Sequence, residues 1–204
     1  MDIKLLEDIS NLTKKYNAQL LPVIKDKKIE EIKEVYDFGF REFGENRLEQ
    51  LLDHKIKLEK AMFHFIAPLQ SRKINEVMDN CVSIHTLSRK KEALIISENY
   101  SDHKIFVQIN IDNDPNKSGI KVEEVDIFFS MFHDLSFFPV GIMCIPSIEE
   151  DSIISFSSMQ KINEKLKSNH KNYKGELSMG MSDDYEIALD YGATIIRIGS
   201  KIFS

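Results

Sequence analysis

A lysine set directly behind an apolar run is a candidate for chemistry on carbonyl compounds. Lys25 follows Leu20-Leu-Pro-Val-Ile24, so a strand over Gln19 to Ile24 would carry its amine to the strand's C-terminal end. An amine attacks an aldehyde in its neutral form, and a lysine is a nucleophile near neutrality when burial or nearby cations lower its pKa from ~10.4. Lys25 also opens the basic run Lys25-Asp-Lys-Lys28, where a solvated side chain is the ordinary reading.

Two glycine- and serine-bearing loops suggest an anion site. Glu176-Leu-Ser-Met-Gly-Met-Ser-Asp-Asp184 puts Ser178 and Gly180 after one apolar run and a helix start at Ser182, and Ile196-Arg-Ile-Gly-Ser200 puts Arg197, Gly199 and Ser200 at the end of the next. Glycine lets the backbone approach a ligand, serine adds a hydroxyl donor, and a helix start offers free N–H groups. Each loop alone is explained by local turn chemistry; the pair together points to phosphate.

Two further segments carry polar residues in apolar surroundings. In Arg41-Glu-Phe-Gly-Glu-Asn46, Gly44 ends a short strand and Glu45 and Asn46 stand near a helix cap. In Phe63-His-Phe-Ile-Ala-Pro-Leu-Gln70, His64 lies inside an apolar strand, where a hydrogen-bonded core histidine is the ordinary reading, and Gln70 marks a loop-to-helix junction.

The elements that must position these residues alternate. Strand-like runs fall at Gln19 to Ile24, Arg41 to Phe43, Met62 to Ile66, Val82 to His85, Lys104 to Ile109, Phe138 to Met143, Glu176 to Met179 and Thr194 to Ile198. Helical spacing fills the intervals over Ile29 to Phe38, Arg47 to His54, Ser71 to Met78, Ser88 to Glu98, Val122 to Phe132, Ser152 to Lys167 and Asp183 to Tyr191, with a further helix over Ile3 to Tyr16. Ser71 and Ser88 are expected caps, and Gly39 and Gly192 stand where a helix-ending glycine belongs. Eight β-α steps suggest one (β/α)₈ barrel of the TIM type spanning 1–204 with an extra N-terminal helix; an open doubly-wound sheet would give the same alternation. Pro22 cannot donate to a ladder, so the first strand is expected to start later or bulge there.

Composition sets bounds. With 42% hydrophobic and 29% charged residues the chain reads as globular, and 33 acidic against 27 basic side chains give no field that would recruit nucleic acid or an anionic membrane. Cys81 and Cys144 lie far apart in apolar runs, without metal-ligand spacing, and are expected as buried reduced thiols. The longest apolar run, Phe137 to Ile145, is shorter than the ~20 residues of a membrane span. A cytoplasmic protein is expected.

The segments Val23-Ile-Lys25, Phe43-Gly-Glu-Asn46, His64-Phe-Ile-Ala-Pro-Leu-Gln-Ser-Arg-Lys73, Val107-Gln-Ile-Asn110 through Lys117-Ser-Gly-Ile120, Gly141-Ile-Met143, Leu177-Ser-Met-Gly-Met-Ser-Asp183 and Arg197-Ile-Gly-Ser200 occur in the order of a known family. From about Leu20 to Phe203 the chain resembles the pyridoxal-phosphate homeostasis proteins, one-domain relatives of the N-terminal barrel of alanine racemase. The resemblance implies that the cofactor is pyridoxal 5′-phosphate (PLP), held as a Schiff base on Lys25. Ser178, Gly199 and Ser200 would hold its phosphate, Arg197 would face the pyridine nitrogen, and Asn46, Met143 and Met179 would line the ring.

The resemblance also implies partners and chemistry. Such proteins hold or deliver the cofactor without an established reaction of their own, so no catalytic residue is assigned. The apo forms of PLP-dependent enzymes are the implied recipients, and a monomer or weak homodimer is expected. A guanidinium beside the ring nitrogen disfavours its protonation and weakens the ring as an electron sink. The racemases add a β-domain with a second catalytic base, absent before Ser204, so a PLP-dependent racemase-like enzyme is the second reading. A barrel that binds another phosphorylated metabolite, with Lys25 uninvolved, is the third. The chain departs from the family's usual pattern at four places: Ile24 replaces a serine, Asp26-Lys27-Lys28 replaces Thr-Lys-Pro, Arg47 replaces a tyrosine, and Ala67-Pro68 replaces a Gly-His or similar pair.

Overall fold

In the computed structural model, which describes residues 2–147 and 151–203, the strands are β1 (Gln19–Pro22), β2 (Glu42–Glu45), β3 (Met62–Phe65), β4 (Ser83–Leu87), β5 (Lys104–Asn110), β6 (Ile120–Lys121), β7 (Gly141–Met143), β8 (Glu176–Ser178) and β9 (Ile195–Ile198). The α-helices are α1 (Ile3–Lys15), α2 (Ile29–Asp37), α3 (Leu48–Lys57), α4 (Ile74–Met78), α5 (Lys90–Glu98), α6 (Val125–Ser130), α7 (Ser152–Asn169) and α8 (Tyr185–Asp190). Met1 and Ser204, the ends of the expected span, lie outside the described residues.

Every pairing in the wall is parallel, in the order β1-β9-β8-β7-β5-β4-β3-β2, and the isolated bridge Val23↔Gly44 joins the two ends. The Ile24 N–H donates to Gly44 O at 3.0 Å across this seam. Neighbours in the wall are therefore neighbours in sequence, and the last strand pairs with the first. This is a nearly closed eight-stranded TIM-type barrel, and the open doubly-wound alternative, whose strand order reverses at a switch point, is excluded. β6 stands apart, pairing with the far end of β5.

Pro22 lies inside β1 after all, paired with Ile198. Its register explains why it is tolerated. The amides of Gln19 and Val23 donate to β9, whereas that of Ile24 donates to β2. By alternation the nitrogen of Pro22 faces the β2 seam, where little ladder exists to lose.

Helix ends depart from expectation at the serines. Gln70 precedes the 3₁₀ turn Ser71–Lys73, and Arg89, not Ser88, occupies the N-cap of α5. The buried Glu92 carboxylate accepts from the amides of both Ser88 and Arg89 at 3.0 Å, and so does the work assigned to a capping hydroxyl. Gly39 (φ 122°) and Gly192 (φ 86°) do follow α2 and α8 in the left-handed region that favours glycine.

Strand alternation sorts the core into two layers. One face of the wall meets the helices, with Ile32 and Val35 of α2 and Phe156, Met159 and Leu166 of α7 buried against it. The other face fills the barrel with Leu21, Phe106, Met143 and Ile195. Cys81 and Cys144 are free and buried, and burial pushes both thiols up to about 12. Among the described residues no helix is long and apolar enough to cross a membrane.

Candidate functional site

The C-terminal ends of the strands open into a cleft of about 360 Å³ lined by Val23, Lys25, Asn46, Ile66, Met143, Ile145, Met181, Ser182, Asp183, Arg197, Gly199 and Ser200. Val23, Ile66 and Met143 share the inward parity of the barrel face, so the cleft is the top of the barrel interior rather than a surface groove.

Lys25 stands in a turn directly after β1, closed by Lys27 N–H donating to Ile24 O at 3.1 Å, with Asp26 in the left-handed region at φ 57°. Its side chain is exposed, and no hydrogen bond or ion pair engages it among the described residues. Two of the departures from the family pattern meet here: Asp26 and Arg47 form an ion pair at 2.9 Å, both more than half exposed. They close the rim beside Lys25 from the loops after β1 and β2.

Arg197 projects from β9 into the barrel and is buried. Its Nη1 donates to Ser178 Oγ at 2.7 Å and its Nη2 to Cys144 O at 2.9 Å. Both acceptors are neutral, and no carboxylate pairs with it among the described residues. Burial lowers its pKa from the usual 12.5. A guanidinium stays charged, so the cleft floor carries a positive charge that no carboxylate contacts among the described residues, the Asp184 carboxylate acting on it only through space.

Ser182 and Ser200 meet at the other end of the cleft, Oγ to Oγ at 3.0 Å, and Lys201 Nζ donates to Ser182 O at 3.2 Å. Gly199 completes this end: a Cβ there would lie 3.0 Å from Val23 O, so glycine keeps the backbone close to β1. Asn46 reaches the cleft from the loop after β2, where buried Glu45 accepts from the amides of Asn46 and Arg47 at 2.7 and 3.2 Å. The Asn46 Oδ1 is buried without a hydrogen-bond partner, an arrangement that calls for a ligand or solvent donor.

Of the residues singled out from sequence, Lys25, Asn46, Met143, Arg197, Gly199 and Ser200 come together in the cleft. Ser178 and Met179 do not line it. Ser178 points into the barrel, but its fully buried hydroxyl is engaged by His85 and Arg197. Met179, the next residue, faces the opposite way into the helix layer. Ser182 and Asp183 are polar cleft residues to which no ligand role was given, although their segment was quoted as a helix start. Period-2 alternation from Met143 would also have found Ile145, whereas Val23 and Ile66 lie on other strands and need the register between them.

Comparisons with known proteins agree with this architecture. The family described as "Alanine racemase, N-terminal domain" matches residues 5–204. The pyridoxal phosphate homeostasis protein of Aquifex aeolicus is 32% identical over 196 residues, covering 91% of this chain and 86% of its own length. The structure of PipY from Synechococcus elongatus PCC7942 without PLP superposes with a TM-score of 0.87 at 26% identity, covering 97% of this chain and 99% of PipY. A second PipY structure, with PLP bound, gives a TM-score of 0.84 at 24% identity over 97% of this chain and 99% of PipY, a likeness of fold. The chain thus belongs to the pyridoxal phosphate homeostasis proteins, a family built on the alanine racemase N-terminal domain.

Proposed function

We propose that this chain binds pyridoxal 5′-phosphate in the barrel-top cleft as a Schiff base on Lys25 and serves its homeostasis in the cytoplasm, as a holder of the cofactor rather than through a reaction of its own. The observation that carries the reading is the Arg197 cation, hydrogen-bonded only to neutral acceptors, on the floor of a cleft whose rim bears an unpartnered lysine. A flat, anionic aldehyde satisfies both. The names of the relatives, and PLP in one PipY structure, support the same ligand.

The residues present fit that group. Lys25 Nζ would supply the amine that holds the aldehyde. Ser182, Ser200 and the backbone at Gly199 hold the phosphate. Met143 and Ile66 give the ring apolar contact, and the Asn46 Oδ1 accepts a ligand or water donor. Ser178, expected to touch the phosphate, instead braces Arg197.

Bound PLP supplies an electron sink whose strength depends on the protonation of its ring nitrogen. Arg197 would face that nitrogen with a positive charge, which would disfavour its protonation and weaken the ring as an electron sink. The pocket therefore favours retention and hand-over of the cofactor, with apo forms of PLP-dependent enzymes as recipients.

Absorption titration of the protein with PLP tests the reading. A saturable visible band in the wild type that Lys25→Ala abolishes is expected. No band, or one unchanged in Lys25→Ala, contradicts it.

A further inference from the structure

Beneath the cleft a file of polar side chains crosses the barrel from one mouth to the other. Arg197 Nη1 donates to Ser178 Oγ at 2.7 Å, His85 Nδ1 lies 2.8 Å from the same oxygen, His85 Nε2 lies 3.0 Å from His64 Nδ1, and His64 Nε2 lies 2.8 Å from Glu42 Oε2. His64, His85, Ser178 and Arg197 are buried; Glu42 sits at the N-terminal mouth with its side chain 37% exposed. Barrel interiors at this level are ordinarily filled by branched aliphatic side chains. Here four strands contribute polar ones, and the file ends on the cation that floors the cleft.

For a neutral His64, the direction of every bond follows from the acid. A carboxylate only accepts, so His64 donates from Nε2 and accepts at Nδ1. His85 then donates from Nε2 and accepts the Ser178 hydroxyl at Nδ1, while the Ser178 oxygen receives Arg197. In that arrangement all donors point away from Arg197 toward Glu42. The hydrogen bond from His64 holds Glu42 at about 2, well below its usual 4.5. Burial first of all, and then the charges of Arg197 and Lys104, drive His85 well below its ordinary value. Glu42 is also faced by Gln19 at 2.7 Å and by Lys104, itself paired with Glu176 at 3.2 Å, and His85 stacks on Phe106 with centroids 4.5 Å apart.

We propose that Glu42, His64, His85 and Ser178 form a positioning relay for Arg197, which fixes the guanidinium on the barrel floor while keeping the relay's own carboxylate at the opposite mouth. A carboxylate in the place of Ser178 would orient the arginine equally well, but it would neutralise the cation where the ligand meets it. The relay separates the two effects: orientation comes from Ser178 and Cys144 O, and the relay's own carboxylate stands three side chains away, while Asp184 acts on the guanidinium only through space. This inference rests on the cofactor reading above and assigns Glu42, His64 and His85, which do not line the cleft, to the tuning of the site.

Two variants of the full chain test the relay. Glu42→Gln keeps an acceptor oxygen for His64 and Gln19 but removes the charge; His85→Phe breaks the file while preserving a ring against Phe106. The first readout needs no cofactor: nitrogen NMR of histidine-labelled wild type at about pH 7 is expected to show His64 and His85 neutral with hydrogen on Nε2. An imidazolium, or a hydrogen on Nδ1, at either residue overturns the relay. The second readout is the spectrum of the PLP-loaded protein over roughly pH 6 to 9, expected to be constant in the wild type. It should become pH-dependent in both variants, with about tenfold weaker cofactor binding in His85→Phe and a smaller loss in Glu42→Gln. Unchanged spectra and affinities in both variants, with the cofactor still on Lys25, overturn the relay and leave the cofactor reading standing. A wild type that forms no adduct removes the cofactor reading and the relay's role with it.

Discussion

The two mouths of the barrel treat charge in opposite ways. At the N-terminal mouth Glu42 is met by His64 and Gln19, and Lys104 by Glu176. At the C-terminal mouth Lys25 has no partner among the described residues, Asn46 Oδ1 is buried without one, and Arg197 has only neutral acceptors. One mouth is complete in the protein alone, whereas the other has capacity left over for an anion, an aldehyde and a ring. The difference locates the ligand end of the barrel more sharply than cleft size, since other hollows on the molecule are as large.

The largest expected effect comes from deleting the free amine. Lys25→Ala should eliminate any borohydride-reducible adduct, while its denaturant midpoint shifts by no more than about 0.5 kcal/mol, because an exposed, unpartnered side chain contributes little to stability. A large fall in stability would mean that Lys25 has a structural role. Arg197→Met comes next. Loss of the floor cation should weaken PLP binding, measured by fluorescence titration, by about 1.5–3 kcal/mol, roughly 10- to 100-fold. Wild-type affinity would place the ligand elsewhere.

A smaller effect is expected at the serine pair. Ser182→Ala combined with Ser200→Ala should cost about 1–2 kcal/mol of PLP affinity, and a smaller cost for pyridoxal without its phosphate would identify that end of the cleft. Equal losses for both ligands would argue against phosphate there. The smallest effect tests the complete mouth. Because the folded-state pKa of Glu42 is depressed to about 2 from 4.5, its contribution is fully present above the unfolded value and is lost as pH falls from about 4.5 toward 2. With more than a third of the side chain exposed, screening reduces that contribution to about 1–2 kcal/mol. Urea unfolding should show Glu42→Gln destabilised near neutrality and the gap to wild type narrowing in acid; a gap that does not depend on pH would show that the Glu42 charge contributes nothing.

The barrel was legible in the sequence because each inward strand is a short apolar run and each helix has its own period. What periodicity could not supply was closure, which depends on single contacts such as Val23↔Gly44, and the two-residue β6, too short to show any alternation. Pro22 misled for a related reason: a proline's cost depends on which edge its nitrogen faces, and that is a property of the register. In the site, glycine and serine in the loops after β8 and β9 marked the end of the barrel where the cleft lies, but Ser178 and Ser182 differ only in which way the chain carries them. The expected core histidine at His64 is one, buried and hydrogen-bonded; its link through His85 to Arg197 joins strands far apart in sequence and is visible only in three dimensions.

The central claim is that the unpartnered amine at the barrel's C-terminal mouth is where the cofactor is held. The most direct measurement is borohydride reduction of the PLP-loaded protein followed by peptide mass mapping of its lysines. A single phosphopyridoxyl modification on Lys25 is the result the account predicts; modification spread over the exposed lysines, or confined to a lysine outside the cleft, would contradict it.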